Sequence, residues 1–180
     1  GYTVTEESKE KGDVVLTTTH TPSTVDIPVT KIWVDNDNQD GLRPAKITVK
    51  LLANGGEVAR KDITSETDWK ETFTGLPKFK DGKEIVYTLQ EEKVENYSPS
   101  IDQESYTITN THTPGKTTLS VTKQWDDQED KDGLRPKSVK VQLYADGKKS
   151  GEVIELSAEN KWTHTFADLE KNVKGKAITY

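Results

Sequence analysis

Lys31, Glu91 and Asn110 are the residues of this 180-residue chain whose types could do chemistry together. An amine, a carboxyl and a carboxamide are what an amide-forming reaction between side chains requires: a nucleophile, a proton carrier and an electrophilic carbonyl. Each alone has a plainer explanation, as a lysine reaching a sheet edge, a solvated glutamate or a turn asparagine. Their settings distinguish them. In VDIPVTKIWVD (25 to 35) strand alternation places Ile27, Val29, Lys31 and Trp33 on one face. In EIVYTLQEE the set Ile85, Tyr87, Leu89 runs on to Glu91, and in SYTITNT the set Tyr106, Ile108 runs on to Asn110. Burying an unpartnered ammonium is costly, and desolvation favours the uncharged amine, so a lysine between Val29 and Trp33 needs a reason.

The elements that must position these groups are short strands. Tyr, Trp, Thr and Val recur in alternating runs, and long stretches of helical period are missing, which predicts an all-β chain. Strands are expected near 27 to 34, 45 to 53, 57 to 63, 68 to 74, 84 to 92, 97 to 101 and 105 to 112. Asn54-Gly55-Gly56, Gly75-Leu76-Pro77 and Asp81-Gly82 punctuate them. About seven strands in ~90 residues is the signature of an immunoglobulin-like sandwich.

The same pattern occurs twice. VTKIWVDNDNQDGLRPAKITVKLLANG (29 to 55) returns as VTKQWDDQEDKDGLRPKSVKVQLYADG (121 to 147), so Lys31 corresponds to Lys123. Trp69 corresponds to Trp162 and Tyr87 to Tyr180, and counterparts of Glu91 and Asn110 would lie beyond residue 180. Residues 1 to 22 end in TTTHTP, which mirrors TNTHTP at 109 to 114, with Thr18 where Asn110 stands and no Asn in the segment. Aligning Tyr2 with Tyr97 is preferred to matching YTVTEE with YTLQEE. The latter would make Glu6 the counterpart of Glu91 at a spacing that does not fit. The expected organisation is therefore a closing strand or strands of a preceding or permuted repeat (1–22), a complete repeat (23–114) and a second repeat truncated at its C-terminal end (115–180). Both ends read as cuts within a longer protein, and a split or permuted chain fits the same pattern. The Pro-containing stretches THTPST and THTPGKTT read as short semi-rigid linkers.

Composition excludes several functions. The net charge is −6, with 31 Asp and Glu against 25 Lys and Arg and no basic cluster, so neither nucleic acid nor an anionic membrane is expected as a partner. With 0 Cys there is no disulfide framework and no thiolate metal site. The Asp-rich loops at 35–41 and 126–133 resemble the start of a calcium loop, but the ligating Glu is replaced by Ile47 and Val139, and Asx-turn capping is the better explanation. His20, His112 and His164 are scattered, so no metal is expected, and no phosphate loop or nucleophile elbow suggests a cofactor or a hydrolase. Trp33, Trp69, Trp125 and Trp162 recur at matched positions, as core residues do; a carbohydrate platform is the alternative.

VTKxW, the DGLRP loop, the strand-end Glu after YTL and the TNTHTP close together resemble the collagen-adhesin B-type (CnaB) repeats of Gram-positive surface adhesins and pilins. That resemblance implies tandem inverse immunoglobulin-like (prealbumin-like) β-sandwiches. It also implies a first-strand lysine bonded to a last-strand asparagine with help from a glutamate, roles that fall on Lys31, Asn110 and Glu91. Lys123 keeps the lysine role without a partner in its own repeat. The implied function is a stalk of an extracellular, cell-wall-anchored adhesin, whose partners are neighbouring repeats. A module that binds collagen or carbohydrate directly is the alternative. Residues 1–22 and the truncated repeat are expected to pair, within one chain as a permutant or, preferred here, between chains as a strand swap.

Overall fold

A computed structural model describes residues 1–8 and 14–180. Part of the expected closing segment, residues 9–13, lies outside the described residues. The strands in chain order are β1 (Thr3–Ser8), β2 (Val14–Thr19), β3 (Thr24–Val34), β4 (Lys46–Ala53), β5 (Gly56–Thr64), β6 (Lys70–Pro77), β7 (Phe79–Lys80), β8 (Lys83–Glu84), β9 (Tyr87–Glu91), β10 (Ser98–Asp102) and β11 (Thr107–Thr111). They continue as β12 (Lys116–Thr122), β13 (Ser138–Ala145), β14 (Lys148–Ser157), β15 (Thr163–Glu170), β16 (Asn172–Val173) and β17 (Lys176–Ala177). A single 3-10 turn, Ser65–Thr67, is the sole helical element among the described residues.

The chain divides into two compact units, Gly1–Ile32 with Pro44–Asn110, and Trp33–Arg43 with Thr111–Tyr180. The first is a sandwich of a four-stranded sheet, order β10-β11-β3-β6, and a three-stranded sheet, order β5-β4-β9. Along β3 the buried positions alternate as the sequence demands: Ile27, Val29 and Lys31 point inward. Ile47, Val49 and Leu51 of β4, Ile63 of β5, Phe73 of β6, Tyr87 and Leu89 of β9 and Ile108 of β11 complete the core. Fully burying one such side chain contributes roughly 1.5–3 kcal/mol, so this core is what fixes the register. β3 and β11 run in the same direction, since Thr30 N–H donates to Tyr106 O and His112 N–H to Val34 O.

The expected strand over 84 to 92 is interrupted. Lys83–Glu84 pairs instead with Phe79–Lys80 around the Asp81-Gly82 turn, and β9 starts only at Tyr87, whose hydroxyl donates to Pro77 O. Here the Asp-Gly signal outweighs the apolar alternation. β9 is an edge strand, and the Gln103 carboxamide covers it, accepting from Leu89 N–H at 2.7 Å and donating to Leu89 O at 2.9 Å.

In the second unit β12 pairs only with β15 and β13 only with β14, whereas their counterparts β3 and β4 each have strands on both sides. The local fold is nevertheless that of the first repeat. Lys123 N–H donates to Trp162 O and Lys31 N–H to Trp69 O, both at 2.8 Å. Tyr180 Oη donates to Glu170 O as Tyr87 does to Pro77. Residues 1–8 and 14–19 form an antiparallel hairpin, Thr3 opposite Thr19, exposed at every strand position.

Candidate functional site

Lys31, Glu91 and Asn110 meet in the core of the first unit. Lys31 and Asn110 come from neighbouring strands of the four-stranded sheet, and Glu91 comes from β9 of the facing sheet, opposite Val49. The Lys31 Nζ lies 3.4 Å from Glu91 Oε1, with side-chain exposures of 0% and 2%. Asn110, 1% exposed, donates from Nδ2 to the same Oε1 at 3.1 Å. One carboxylate oxygen thus faces both the amine and the carboxamide. The other, Glu91 Oε2, is buried without a hydrogen-bond partner, as is Asn110 Oδ1. Two buried acceptors left unsatisfied cost on the order of 1–3 kcal/mol each. That is an unfavourable resting arrangement for structure alone, and it leaves both oxygens available for chemistry.

The second repeat places its lysine differently. Lys123 Nζ donates to Gln124 O at 2.5 Å and lies 4.0 Å from the centroid of the Trp125 ring, on a half-exposed surface. The strand positions that carry Glu91 and Asn110 have no counterparts among residues 115–180.

The tryptophans depart from the core expectation. All four are half-buried, none fully. Trp33 is covered by the Arg43 guanidinium at 5.5 Å and Trp125 by Arg135 at 5.4 Å, while Trp125 and Trp162 pack edge to face at 5.1 Å. Strand alternation gives the face on which a residue sits, and these lie where the strand runs out into the loop.

That loop carries a feature the sequence reading passed over. Arg43 makes a bidentate pair with Asp35, Nη2 to Oδ1 at 2.6 Å and Nε to Oδ2 at 3.1 Å. Arg135 repeats it on Asp127 at 2.5 and 3.0 Å. Asn36, Asp37 and Asn38, like Gln128, Glu129 and Asp130, are left-handed, the conformation that Asn and Asp tolerate best, which folds the loop back so that Asp and Arg eight residues apart can meet. The identical Asp-to-Arg spacing in both copies was the available signal. The Asx capping foreseen from composition is present, with Asp35 Oδ1 accepting from Asn38 N–H at 3.0 Å. Among the described residues no group of three acidic or histidine side chains is arranged to hold a metal ion.

Paired β-sandwich repeats, one of them with a buried Lys-Glu-Asn cluster bridging its two sheets, define a structural repeat module. The chain belongs to the Cna protein B-type domain family, whose model matches residues 27–111 and 119–180. It is 46% identical over 180 residues to a collagen adhesin of Staphylococcus aureus, covering 100% of this chain and 15% of that protein. It is also similar to the crystal structure of two B repeat units (B1B2) of the collagen-binding protein of S. aureus, with a TM-score of 0.59 and 45% identity over 99% of this chain and 48% of that one. A single B repeat unit of the same protein matches at 47% identity and a TM-score of 0.49, covering 87% of this chain and 82% of that one.

Proposed function

We propose that the chain is a stalk segment of a cell-wall-anchored adhesin, and that its complete repeat closes itself by an isopeptide bond between Lys31 and Asn110. The observation that carries this reading is the convergence of amine, carboxyl and carboxamide in a buried core. The neutral Lys31 amine attacks Asn110 Cγ, a new Nζ–Cγ bond forms, the Cγ–Nδ2 bond breaks, and an amine proton leaves with the nitrogen as ammonia. Glu91 relays that proton. Turning the Asn110 carboxamide over brings Oδ1 to the Glu91 carboxyl, which as the acid donates to it and polarises the carbonyl. Proximity supplies most of the rate, as for any well-aligned intramolecular pair. The reaction occurs once per molecule, so the product is a mechanical element and no turnover follows. Because the bond joins first and last strands, a pull on the ends of the repeat loads a covalent link.

The experiment is peptide mapping of the full chain after proteolysis. A branched peptide joining β3 to β11 is expected, and Glu91→Ala should return the two linear peptides. Linear peptides alone from the unaltered protein would refute the bond.

Direct binding of collagen or carbohydrate is the competing reading, and the arginine-covered, half-buried tryptophans speak against a sugar platform. For partners we favour neighbouring repeats and, between copies, exchange of the β1–β2 hairpin onto the open edges of β12 and β13. That hairpin exposes Tyr2, Val4 and Leu16, and open edges invite pairing. Thr18 has no carboxamide to lose, so this junction is non-covalent. Light scattering should show association that rises with concentration while denaturing electrophoresis shows monomers only; a monomer at every concentration would contradict the exchange.

A further inference from the structure

Lys31, Glu91 and Asn110 stand on three different strands, and one short turn touches all three strands. Residues 102–106 join β10 to β11 and are built on Asp102. Its Oδ1 accepts from the Glu104 N–H at 2.9 Å and the Ser105 N–H at 3.3 Å, while Oδ2 accepts from Ser105 Oγ at 2.7 Å. An aspartate that ties down the backbone two and three residues on makes a compact, preset turn. Tyr106 leaves it in the left-handed region at φ 52°, a conformation that a bulky side chain adopts only where its surroundings impose it. The turn therefore has a fixed shape, and it leads directly into β11, four residues before Asn110.

Two links tie this turn to the other strands. The Tyr106 carbonyl accepts from Thr30 N–H at 3.2 Å, next to Lys31 on β3. Gln103 reaches across to the facing sheet, where Oε1 accepts from Leu89 N–H at 2.7 Å and Nε2 donates to Leu89 O at 2.9 Å. A carboxamide presents a donor and an acceptor side by side, as the backbone of a neighbouring strand does. Gln103 thus acts as a strand one residue long on the edge of β9. Leu89 and Glu91 are two residues apart and share the inward face, so a backbone held at Leu89 is held within one pleat of the carboxyl.

The strand that is held needs holding. β9 is five residues long and pairs with β4 alone, from Ala53 opposite Tyr87 to Val49 opposite Glu91. Glu91 is therefore the last residue of an edge strand, where local opening is easiest. Its Oε1 stands 3.4 Å from the Lys31 amine and 3.1 Å from Asn110 Nδ2. A misplacement of about 1 Å can slow a proximity-driven reaction about 100-fold.

We propose that Gln103 is a positioning residue for the closure of the repeat: its two bonds to Leu89 hold the end of β9 so that the Glu91 carboxyl stays within reach of Lys31 and Asn110. This role rests on the Lys31–Asn110 bond proposed above. Gln103 acts through Leu89, and it is itself exposed, so truncating it opens no cavity in the core.

The test is the rate at which ammonia is lost from freshly made full chain, followed by intact mass under denaturing conditions after cell-free synthesis. Gln103→Ala should slow the loss about tenfold, between the effect of one hydrogen bond and that of a misplacement of about 1 Å, and should reach the same final mass. Gln103→Glu keeps the acceptor for Leu89 N–H but not the donor to Leu89 O, and should fall between the two. Deleting one exposed hydrogen bond leaves nearly every molecule folded, so a purely structural role for Gln103 would leave the rate unchanged. An unchanged rate in Gln103→Ala, with ammonia still lost and Glu91→Ala still unreactive, would overturn the role of Gln103 and leave the bond standing. No ammonia lost from the unaltered chain would overturn both.

Discussion

The first strands of the two repeats share VTKxW, yet one lysine is sealed in a core and the other lies on a tryptophan at the surface. Lys31 and Lys123 share the preceding Val-Thr and the tryptophan two residues on, and both make the same backbone bond to a tryptophan carbonyl. What differs is on the far side of the sandwich. Eleven apolar residues are buried in residues 23–114, two (Leu143 and Leu156) in residues 115–180. The strands β9, β10 and β11 account for this difference, since they close both sheets and bring Glu91 and Asn110 with them. A buried lysine is therefore made by the end of the repeat and not by the strand in which it lies.

The comparison can be broken most forcefully at the cluster. Asn110→Ala removes the electrophile, and if the bond exists the first repeat should lose about 4 to 5 kcal/mol, the value for closing a loop of about eighty residues by the disulfide analogy. Chemical denaturation of the full chain should show it, and Lys123→Ala should change stability by less than about 1 kcal/mol, as for an exposed surface group. Next in size is the loop lock. Asp35 and Asp127 make the same bidentate pair with arginine, but their side chains are 1% and 30% exposed. Arg43→Ala strands a buried carboxylate and should cost about 3 kcal/mol, while Arg135→Ala should cost about 1 kcal/mol or less. Equal losses would show that burial does not set the difference.

Much of this was legible in the sequence. Period-two alternation is strict in strands buried on one face, so Lys31, Glu91 and Asn110 could be placed inward from their neighbours, and the internal repeat fixed the number of sandwiches. Depth was not legible. The tryptophans share the inward face yet remain half-buried, because what covers Trp33 is Arg43, ten residues on and brought back by three left-handed residues. The Asp-Gly turn at 81–82 was recognised, but its power to split a strand depended on the hairpin it makes with Phe79. The bonds of Asp40 are invisible in principle to local pattern, since its partners lie as far away as Asn172.

Smaller effects sharpen the picture. Amides of β4 and β11 should exchange with solvent far more slowly than those of β12 and β13, whose outer edges are unpaired; hydrogen exchange on the native chain reads this directly. The Asp40 carboxyl is held below the usual carboxylate range, chiefly by its hydrogen bond with His112, then by the Gly115 N–H. Its folded-state value is depressed, so its stabilising contribution is complete above about pH 4 and is lost as pH falls through the folded value. An acid titration should release the loop tip from the 112–115 linker below about pH 4, and Asp40→Asn should flatten that step.

The most direct measurement is the intact mass of the full chain under denaturing conditions. The account predicts a mass short of the sequence by one ammonia, with the deficit abolished in Lys31→Ala and unchanged in Lys123→Ala. The full sequence mass in the unaltered protein would contradict it.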